Sequence, residues 1–248
     1  MSRPPYASAD TPALPLYLLD RAGYAAWRAQ QPASSGAWLD SQGFDAAPGS
    51  VALLPGSEGL AGAVLGVGDR LDPYSYAHGA SALPEGAWAP VGELPADQRA
   101  ALQLGWGLGA YRFERYRKGG RAPAQLQLAE LDAEAGDLLA ACTRVRDWVN
   151  TPTQDMGPDQ LEAVARELAQ AHGAQLEVIA GDALLEQNFP TIHAVGRASH
   201  RAPRLIALRW GEPSHRHVAI VGKGVCFDTG GLDLKPADGM RNMKKDMG

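Results

Sequence analysis

Four charged residues near the end of the chain have the types and the spacing of a metal-dependent catalytic site. Lys223 is followed by Asp228, Lys235 and Asp246 within a stretch rich in glycine, and glycine lets a backbone approach a ligand closely. Two amines and two carboxylates that converge on one place need an organising charge. Carboxylate oxygens are natural ligands for Zn, Mn or Mg ions, so the pattern indicates a site for divalent metal.

The elements before this segment predict how it is positioned. A continuous apolar run over 218–221 predicts a buried strand that delivers Lys223 at its carboxyl end. Upstream, the pattern predicts a helix over 158–172 and strands over 176–179 and 205–210. Unbroken apolar strands that alternate with helices are typical of a largely parallel sheet covered on both faces. Catalytic groups in such sheets lie at the carboxyl ends of the strands.

The first half of the chain has a different character, with short apolar pieces between Gly, Pro, Ala and Ser residues. The pieces at 51–54 and 62–67 each end in turn residues, which predicts two strands. Apolar residues at spacings of three and four predict a helix over 134–149, which Pro152 ends. We place the domain boundary in or near this helix.

Together these patterns predict the α/β fold class. We expect a smaller N-terminal α/β domain over 1–130, joined by a linker helix over 131–155 to the rest of the chain. The remainder, 156–248, is expected to be the start of an incomplete α/β/α domain with a mostly parallel sheet, because no sequence follows the last predicted strand to complete it.

Composition excludes several other classes of protein. The formal net charge is −5 and aromatic residues make up 7% of the chain, so it lacks the broad basic surface of a nucleic-acid-binding protein. Two cysteines do not make a disulfide framework. No apolar segment reaches the roughly 20 residues of a membrane span or forms the core of a signal peptide. We therefore expect a cytoplasmic protein without nucleic acid or membrane partners.

Three glycines at alternate positions are a weak match to the dinucleotide-binding fingerprint. Gly105, Gly107 and Gly109 have part of the required spacing, but the motif demands a preceding strand, and the sequence predicts none there. We interpret these residues as glycines at which two helices pack closely.

The C-terminal segment resembles the leucine aminopeptidase (cytosol aminopeptidase) family. The residues that carry the resemblance are Val221-Gly222-Lys223-Gly224, Phe227-Asp228-Thr229-Gly230-Gly231, Lys235-Pro236, Met243 and Asp246-Met247-Gly248. Upstream segments agree, among them Val149-Asn150-Thr151-Pro152, Pro158-Asp159-Gln160-Leu161 and Val195-Gly196-Arg197-Ala198-Ser199. The match is strong from Val145 onward. Before Val145 it rests on the general order of the segments along the chain and on a few residues.

The resemblance implies a role for each matching site residue. Lys223 matches a lysine that coordinates the tighter of two metal ions through its amine. Asp228 matches the carboxylate that bridges the two ions, and Asp246 matches a terminal ligand of the tighter ion. Lys235 matches the catalytic lysine that polarises the scissile carbonyl, and Met243 lines the pocket for the substrate's first side chain. All five therefore form the implied substrate-binding site. Since only a neutral amine has a lone pair for a metal, Lys223 must lose its proton there.

The family also implies an activity and an assembly. Its members are two-metal exopeptidases, so the expected function is the release of N-terminal, leucine-like residues from peptides by metal-activated water. The implied cofactors are two divalent ions, Zn or Mn, with bicarbonate as a base. The implied assembly is a homo-hexamer.

One motif of the family does not occur in these 248 residues. It is a second acidic cluster of the type Asn-Thr-Asp-Ala-Glu-Gly-Arg, which supplies the remaining metal carboxylates and the arginine that positions the bicarbonate. We therefore expect the chain to be the N-terminal portion of a longer aminopeptidase, truncated inside its catalytic domain, and to be inactive alone.

Other interpretations of the sequence remain open. The protein could be a non-catalytic relative that regulates, binds DNA or acts as a scaffold through its N-terminal domain, or a dipeptidase of the same chemistry. The alternative to a metal site is a solvated loop with scattered charges. For Met243 the alternative is ordinary core packing, Cys226 is interpreted as a packed thiol, and Lys244 and Lys245 as a solvated pair.

Overall fold

A computed structural model of the chain describes residues 4–68, 71–227 and 235–248. The chain divides into two units, Met1–Arg144 and Val145–Gly248, so the division falls within one long helix. The finer bounds proposed from the sequence, 1–130, 131–155 and 156–248, stay a prediction. None of the helices in the described ranges combines the length and the hydropathy that crossing a bilayer would require.

The first unit alternates strands and helices. Its elements, in chain order, are β1 (Ala13–Leu19), α1 (Arg21–Ala29), α2 (Ala33–Ser41), β2 (Val51–Gly56), β3 (Gly59–Gly66), α3 (Tyr74–Ala82), β4 (Ala87–Pro90), α4 (Ala96–Ala110) and β5 (Gln125–Leu126), followed by α5 (Ala133–Asn150), which continues into the second unit. The strands predicted at 51–54 and 62–67 and the helix predicted at 134–149 are confirmed as β2, β3 and α5.

Five strands of the first unit form one mostly parallel sheet in the order β2-β3-β1-β4-β5. Strand β1 lies parallel to both β3 and β4, and β4 lies parallel to β5. Only β2 and β3 pair antiparallel, because a short turn after Gly56 joins them directly. The predicted α/β class is therefore confirmed.

The larger of two apolar core clusters in this unit lies between the sheet and helices α3 and α4. Leu16 on the central strand, Trp88 on β4 and Trp106 on α4 are all fully buried. Each buried indole has a partner, since Trp106 Nε1 donates to Ala124 O at 2.9 Å and Trp88 Nε1 to Pro84 O at 3.1 Å. Burying an aromatic side chain stabilises the fold by about 1.5–3 kcal/mol, and the hydrogen bonds remove the cost of burying its polar atom.

Two glycines of α4 allow this helix to lie directly against α3. A Cβ added at Gly105 would lie 1.8 Å from Pro73 O, and one added at Gly109 would lie 1.9 Å from Ala77 O. No side chain fits at such a distance, so the two backbones can meet only at glycine. The interpretation of these residues as helix-packing glycines is confirmed.

The second unit is organised around a two-stranded sheet. After α5, its elements are α6 (Pro158–His172), β6 (Gln175–Ala180), α7 (Ala183–Glu186), α8 (Pro190–Gly196), β7 (Arg204–Arg209), α9 (Ala237–Met240) and a 3₁₀ turn over Met243–Met247. The helix predicted at 158–172 and the strands predicted at 176–179 and 205–210 correspond to α6, β6 and β7.

Strands β6 and β7 pair antiparallel, from Gln175 opposite Arg209 to Ala180 opposite Arg204. The sequence predicted a largely parallel sheet here, and this pair departs from it. The connection between the two strands, 181–203, is 23 residues long, which is enough for either a parallel crossover or an antiparallel return. The patterns within each strand and the length of the connection therefore do not determine the direction of pairing.

The buried strand predicted over 218–221 is not present in the structure. This segment has no regular secondary structure, and Val218, Ile220 and Val221 are 78%, 94% and 94% exposed. An apolar run indicates a preference for burial, but a strand also needs the backbone donors and acceptors of a neighbouring strand. Within the described ranges, no strand pairs with these residues. Lys223 therefore follows an exposed segment, which corrects the predicted position.

Candidate metal centre

The 3₁₀ turn over Met243–Met247 is the element that gathers the candidate site. Met247 is 6% exposed, which anchors the end of the turn. A Cβ added at Gly248 would lie 2.8 Å from Val145 Cγ1 and 3.1 Å from Val149 Cγ2. The chain therefore runs directly against the last turns of α5 immediately after Asp246.

Lys223 and Asp246 lie together although 22 residues separate them in sequence. The Lys223 amine donates to Asp246 Oδ2 and forms an ion pair with it. The two side chains differ in exposure, at 68% for Lys223 and 16% for Asp246. The carboxylate is thus held by the fold, and the amine reaches it from the solvent side.

Lys235 and Met243 form a second contact at the same turn. Lys235 Nζ lies 3.4 Å from Met243 Sδ. In a 3₁₀ helix, side chains three residues apart eclipse one another, so Met243 and Asp246 share one face of the turn. Four of the five predicted site residues are therefore brought to a single short element.

The fifth predicted site residue, Asp228, lies outside the described residues, so its role as a bridging ligand stays a prediction. Within the described ranges, no group of three or more His, Cys, Asp and Glu side chains could hold a metal ion. The ligands that do converge there are one amine and one carboxylate, from Lys223 and Asp246. A nitrogen and oxygen donor set suits Zn and Mn, and the chemistry of these residues fits such an ion.

Helix α6 supports the segment that carries Lys223. A Cβ added at Gly224 would lie 3.2 Å from Leu161 Cδ1 on α6 and 3.7 Å from the backbone oxygen of Asp246. The loop that carries Lys223 therefore passes close to both α6 and the 3₁₀ turn. The nearest atom is the end of a flexible leucine side chain, so these contacts alone do not require a glycine at this position.

An ion-pair cluster fixes α6 to the small sheet. Glu162 on α6 binds Arg166 on the same helix and Arg204 at the start of β7. The hydrogen bond from Arg166, followed by that from Arg204, lowers the pKa of Glu162 below its ordinary value. The Arg204 and Glu162 side chains are only 13% and 15% exposed, so this pair is part of the scaffold.

Cys226 is half-buried beside the site, and its Sγ lies 3.7 Å from Gly224 O. Burial raises the pKa of its thiol above the usual value, and this effect outweighs the opposing charges of Arg201 and Arg204. A protonated thiol is a poor metal ligand. This supports the interpretation of Cys226 as a packed thiol.

One contact near the site was not predicted from the sequence. Lys244 Nζ donates to Asn150 Oδ1 at 2.9 Å, which joins the 3₁₀ turn to the last residue of α5. Both Lys244 and Lys245 are exposed, as expected of a solvated pair, but Lys244 also makes this tertiary hydrogen bond. No local pattern could have revealed the contact, because its two partners are far apart in the chain.

Comparison with known protein families gives matches to both halves of the chain. The model of the cytosol aminopeptidase family, catalytic domain, matches residues 143–248. The model of the M17 aminopeptidase N-terminal domain matches residues 14–129.

Curated relatives agree with these matches. Probable cytosol aminopeptidases from Corynebacterium efficiens and Leifsonia xyli are 32% and 34% identical to the chain, over 85% and 84% of its length. In each case the aligned region covers 46% of the relative. The chain thus spans about half the length of the curated relatives it matches.

Solved structures with this fold include a cytosol aminopeptidase from Coxiella burnetii. It has a TM-score of 0.84 and 35% identity, and the match covers 98% of this chain and 54% of that one. The bottromycin maturation enzyme BotP, solved in complex with Mn, has a TM-score of 0.69 and 27% identity, with 94% and 52% covered.

Proposed function

The chain belongs to the cytosol aminopeptidase family, and from this premise we propose that it acts, as part of a longer chain, in a two-metal aminopeptidase. Its substrates are peptides with a free N-terminus, and the residue released is apolar and leucine-like. The observation that carries this proposal is the convergence of Lys223 and Asp246 on one turn, within the segment that matches the family's catalytic domain.

Lys223, Asp228 and Asp246 are the residues of this chain that would hold the metal. Lys223 offers an amine nitrogen, and the two acids offer carboxylate oxygens. Bound Zn or Mn ions would supply Lewis acidity and an activated water for attack on the peptide bond. The solved complex of the relative BotP with Mn supports manganese as one of the ions used.

Lys235 and Met243 act on the substrate. As a cation, Lys235 stabilises the negative charge that develops on the carbonyl oxygen during attack. Met243 is half-buried and in contact with the Lys235 amine, so its thioether places an apolar wall next to that cation. A flexible, polarisable side chain suits a pocket that accepts several apolar residues.

We further propose the context in which this site works. The names of the relatives as cytosol aminopeptidases support a cytoplasmic location. A homo-hexameric assembly and a bicarbonate base follow from the family resemblance. The arginine that would position the bicarbonate belongs to the acidic cluster that these 248 residues do not contain.

Activity should require that second acidic cluster. We expect the full-length protein to hydrolyse leucyl-p-nitroanilide in the presence of Mn²⁺, and a purified 1–248 polypeptide to show no hydrolysis above the metal-only control. Activity of the 1–248 polypeptide would contradict the need for further ligands. A folded, metal-loaded full-length protein without activity on this substrate or on leucyl peptides would favour a non-catalytic relative. Activity confined to dipeptides would favour a dipeptidase.

A further inference from the structure

We propose that Lys244 and Asn150 form a positioning pair that fixes the Asp246-bearing turn to the end of α5 and thereby sets the affinity for metal. Neither residue is proposed to touch the metal or the substrate. The inference rests on the proposed function, because it assigns Asp246 as a metal ligand.

The contact joins two elements that the sequence places far apart. Lys244 Nζ donates to Asn150 Oδ1 at 2.9 Å, and Asn150 is the last residue of the 18-residue helix α5. Lys244 stands two positions before Asp246 within the same 3₁₀ turn. The bond therefore restrains the turn at its start, while buried Met247 and the close approach of Gly248 to Val145 restrain its end.

The charge of Lys244 also suits its position. The carbonyl groups in the last turn of a helix lack intrahelical partners and carry a partial negative charge, which favours a cation near the C-terminus of α5. An exposed hydrogen bond of this kind contributes little to stability alone. Its importance comes from geometry, because it limits the rotation of the turn that presents the Asp246 carboxylate.

Lys245 provides a matched control within the same turn. It is adjacent to Lys244, has the same charge and is also exposed. Within the described ranges its side chain has no hydrogen bond or ion pair. A general effect of positive charge near Asp246 would act through both lysines, whereas a positioning effect would act only through Lys244.

The test measures the Kd for Mn²⁺ of the full-length, metal-free protein by calorimetry, together with kcat and KM at saturating Mn²⁺. We expect Lys244→Met and Asn150→Leu each to raise the Kd of the tighter ion by roughly two- to fivefold, because a single exposed contact can change a binding equilibrium by no more than its own small free energy. The double variant should be no weaker than either single variant. Lys244→Arg should keep most of the affinity, and Lys245→Met should leave it unchanged.

Three outcomes would overturn the inference: equal effects of Lys244→Met and Lys245→Met, additive effects in the double variant, or an unchanged Kd in Lys244→Met. If a leucine at position 150 prevents folding, Asn150→Ala replaces it, with thermal unfolding as the check. A wild-type protein that binds no Mn²⁺ at all would instead refute the proposed function, so the two failures are distinguishable. At saturating Mn²⁺ the Lys244 variants should recover wild-type kcat.

Discussion

Individual side chains in the candidate site differ in how firmly the fold holds them. Asp246 is 16% exposed and lies on a turn anchored by Met247, whereas Lys223 is 68% exposed and reaches the carboxylate from solvent. The two side chains already lie in contact. In the metal site that we propose, the largely buried carboxylate would be the preorganised ligand, and the exposed lysine would be the one that adjusts.

Lys235 should be needed for catalysis more than for substrate binding. We expect Lys235→Ala in the full-length protein to lower kcat by roughly 10²–10³, the usual loss when one group that stabilises a developing oxyanion is removed. KM should change little, because the charge acts mainly on the transition state. Lys235→Arg keeps a cation and should retain more activity. A Lys235→Ala variant with normal kcat and raised KM would contradict this role.

The Glu162 cluster should make stability depend on pH in the acid range. The hydrogen bonds and charges of Arg166 and Arg204 lower the pKa of Glu162 in the folded state. A lowered pKa contributes stability that is fully present above the unfolded value of about 4.3 and is lost as the pH falls through the folded value. Glu162→Gln should therefore destabilise the protein by about 1–3 kcal/mol near pH 7, and this difference should shrink below about pH 4.

Urea unfolding followed by circular dichroism at several pH values measures this effect. Glu167→Gln is the matched control, since Glu167 is an exposed residue of the same helix and should change stability little at any pH. A Glu162→Gln difference that stays constant from pH 7 to pH 3 would show that the carboxylate charge is not the cause.

At the scale of elements, turn residues and periodicity predicted local structure well, but they did not predict pairing. Strands β2 and β3 are bracketed by Gly and Pro residues, and helix α6 begins at Pro158 and ends before Gly173, which adopts a left-handed conformation. These signals depend only on neighbouring residues, so they can be recognised in the sequence without knowledge of the fold. The antiparallel pairing of β6 with β7 and the exposed 218–221 segment depend instead on distant backbone partners.

The close contact between α3 and α4 should tolerate no side chain at Gly105. We expect Gly105→Ala to destabilise the protein by about 1–3 kcal/mol or more, because its Cβ would lie 1.8 Å from a backbone oxygen that cannot rotate away. Gly136→Ala in α5 is the control. Its Cβ would meet only Gln103 Nε2, at 3.9 Å, so the better helix propensity of alanine should stabilise by up to about 1 kcal/mol.

Thermal unfolding of the two variants and of the wild type tests both expectations. Opposite shifts in Tm are predicted, downward for Gly105→Ala and upward or neutral for Gly136→Ala. Equal shifts in the same direction would mean that helix propensity, rather than the approach of two backbones, governs both positions.

At the scale of the whole molecule, the sequence predicted the family better than it predicted the arrangement of the candidate site. Residue types and spacing indicated Lys223, Lys235 and Asp246, the family resemblance added Met243, and the structure places these four at one turn. The prediction that a buried strand delivers Lys223 to that turn was wrong, because the segment before Lys223 is exposed and forms no strand. The Lys244 contact was missed because it is a tertiary hydrogen bond to a helix terminus, which leaves no periodic pattern.

Metal content tests the central claim most directly. Full-length protein purified, dialysed against Mn²⁺ and freed of unbound ions should contain two ions per chain by elemental analysis. Asp246→Ala should lose at least one of them, and Glu167→Gln should lose none. An Asp246→Ala protein that stays folded and binds as many ions as the wild type would contradict the assignment of this turn as part of a metal centre.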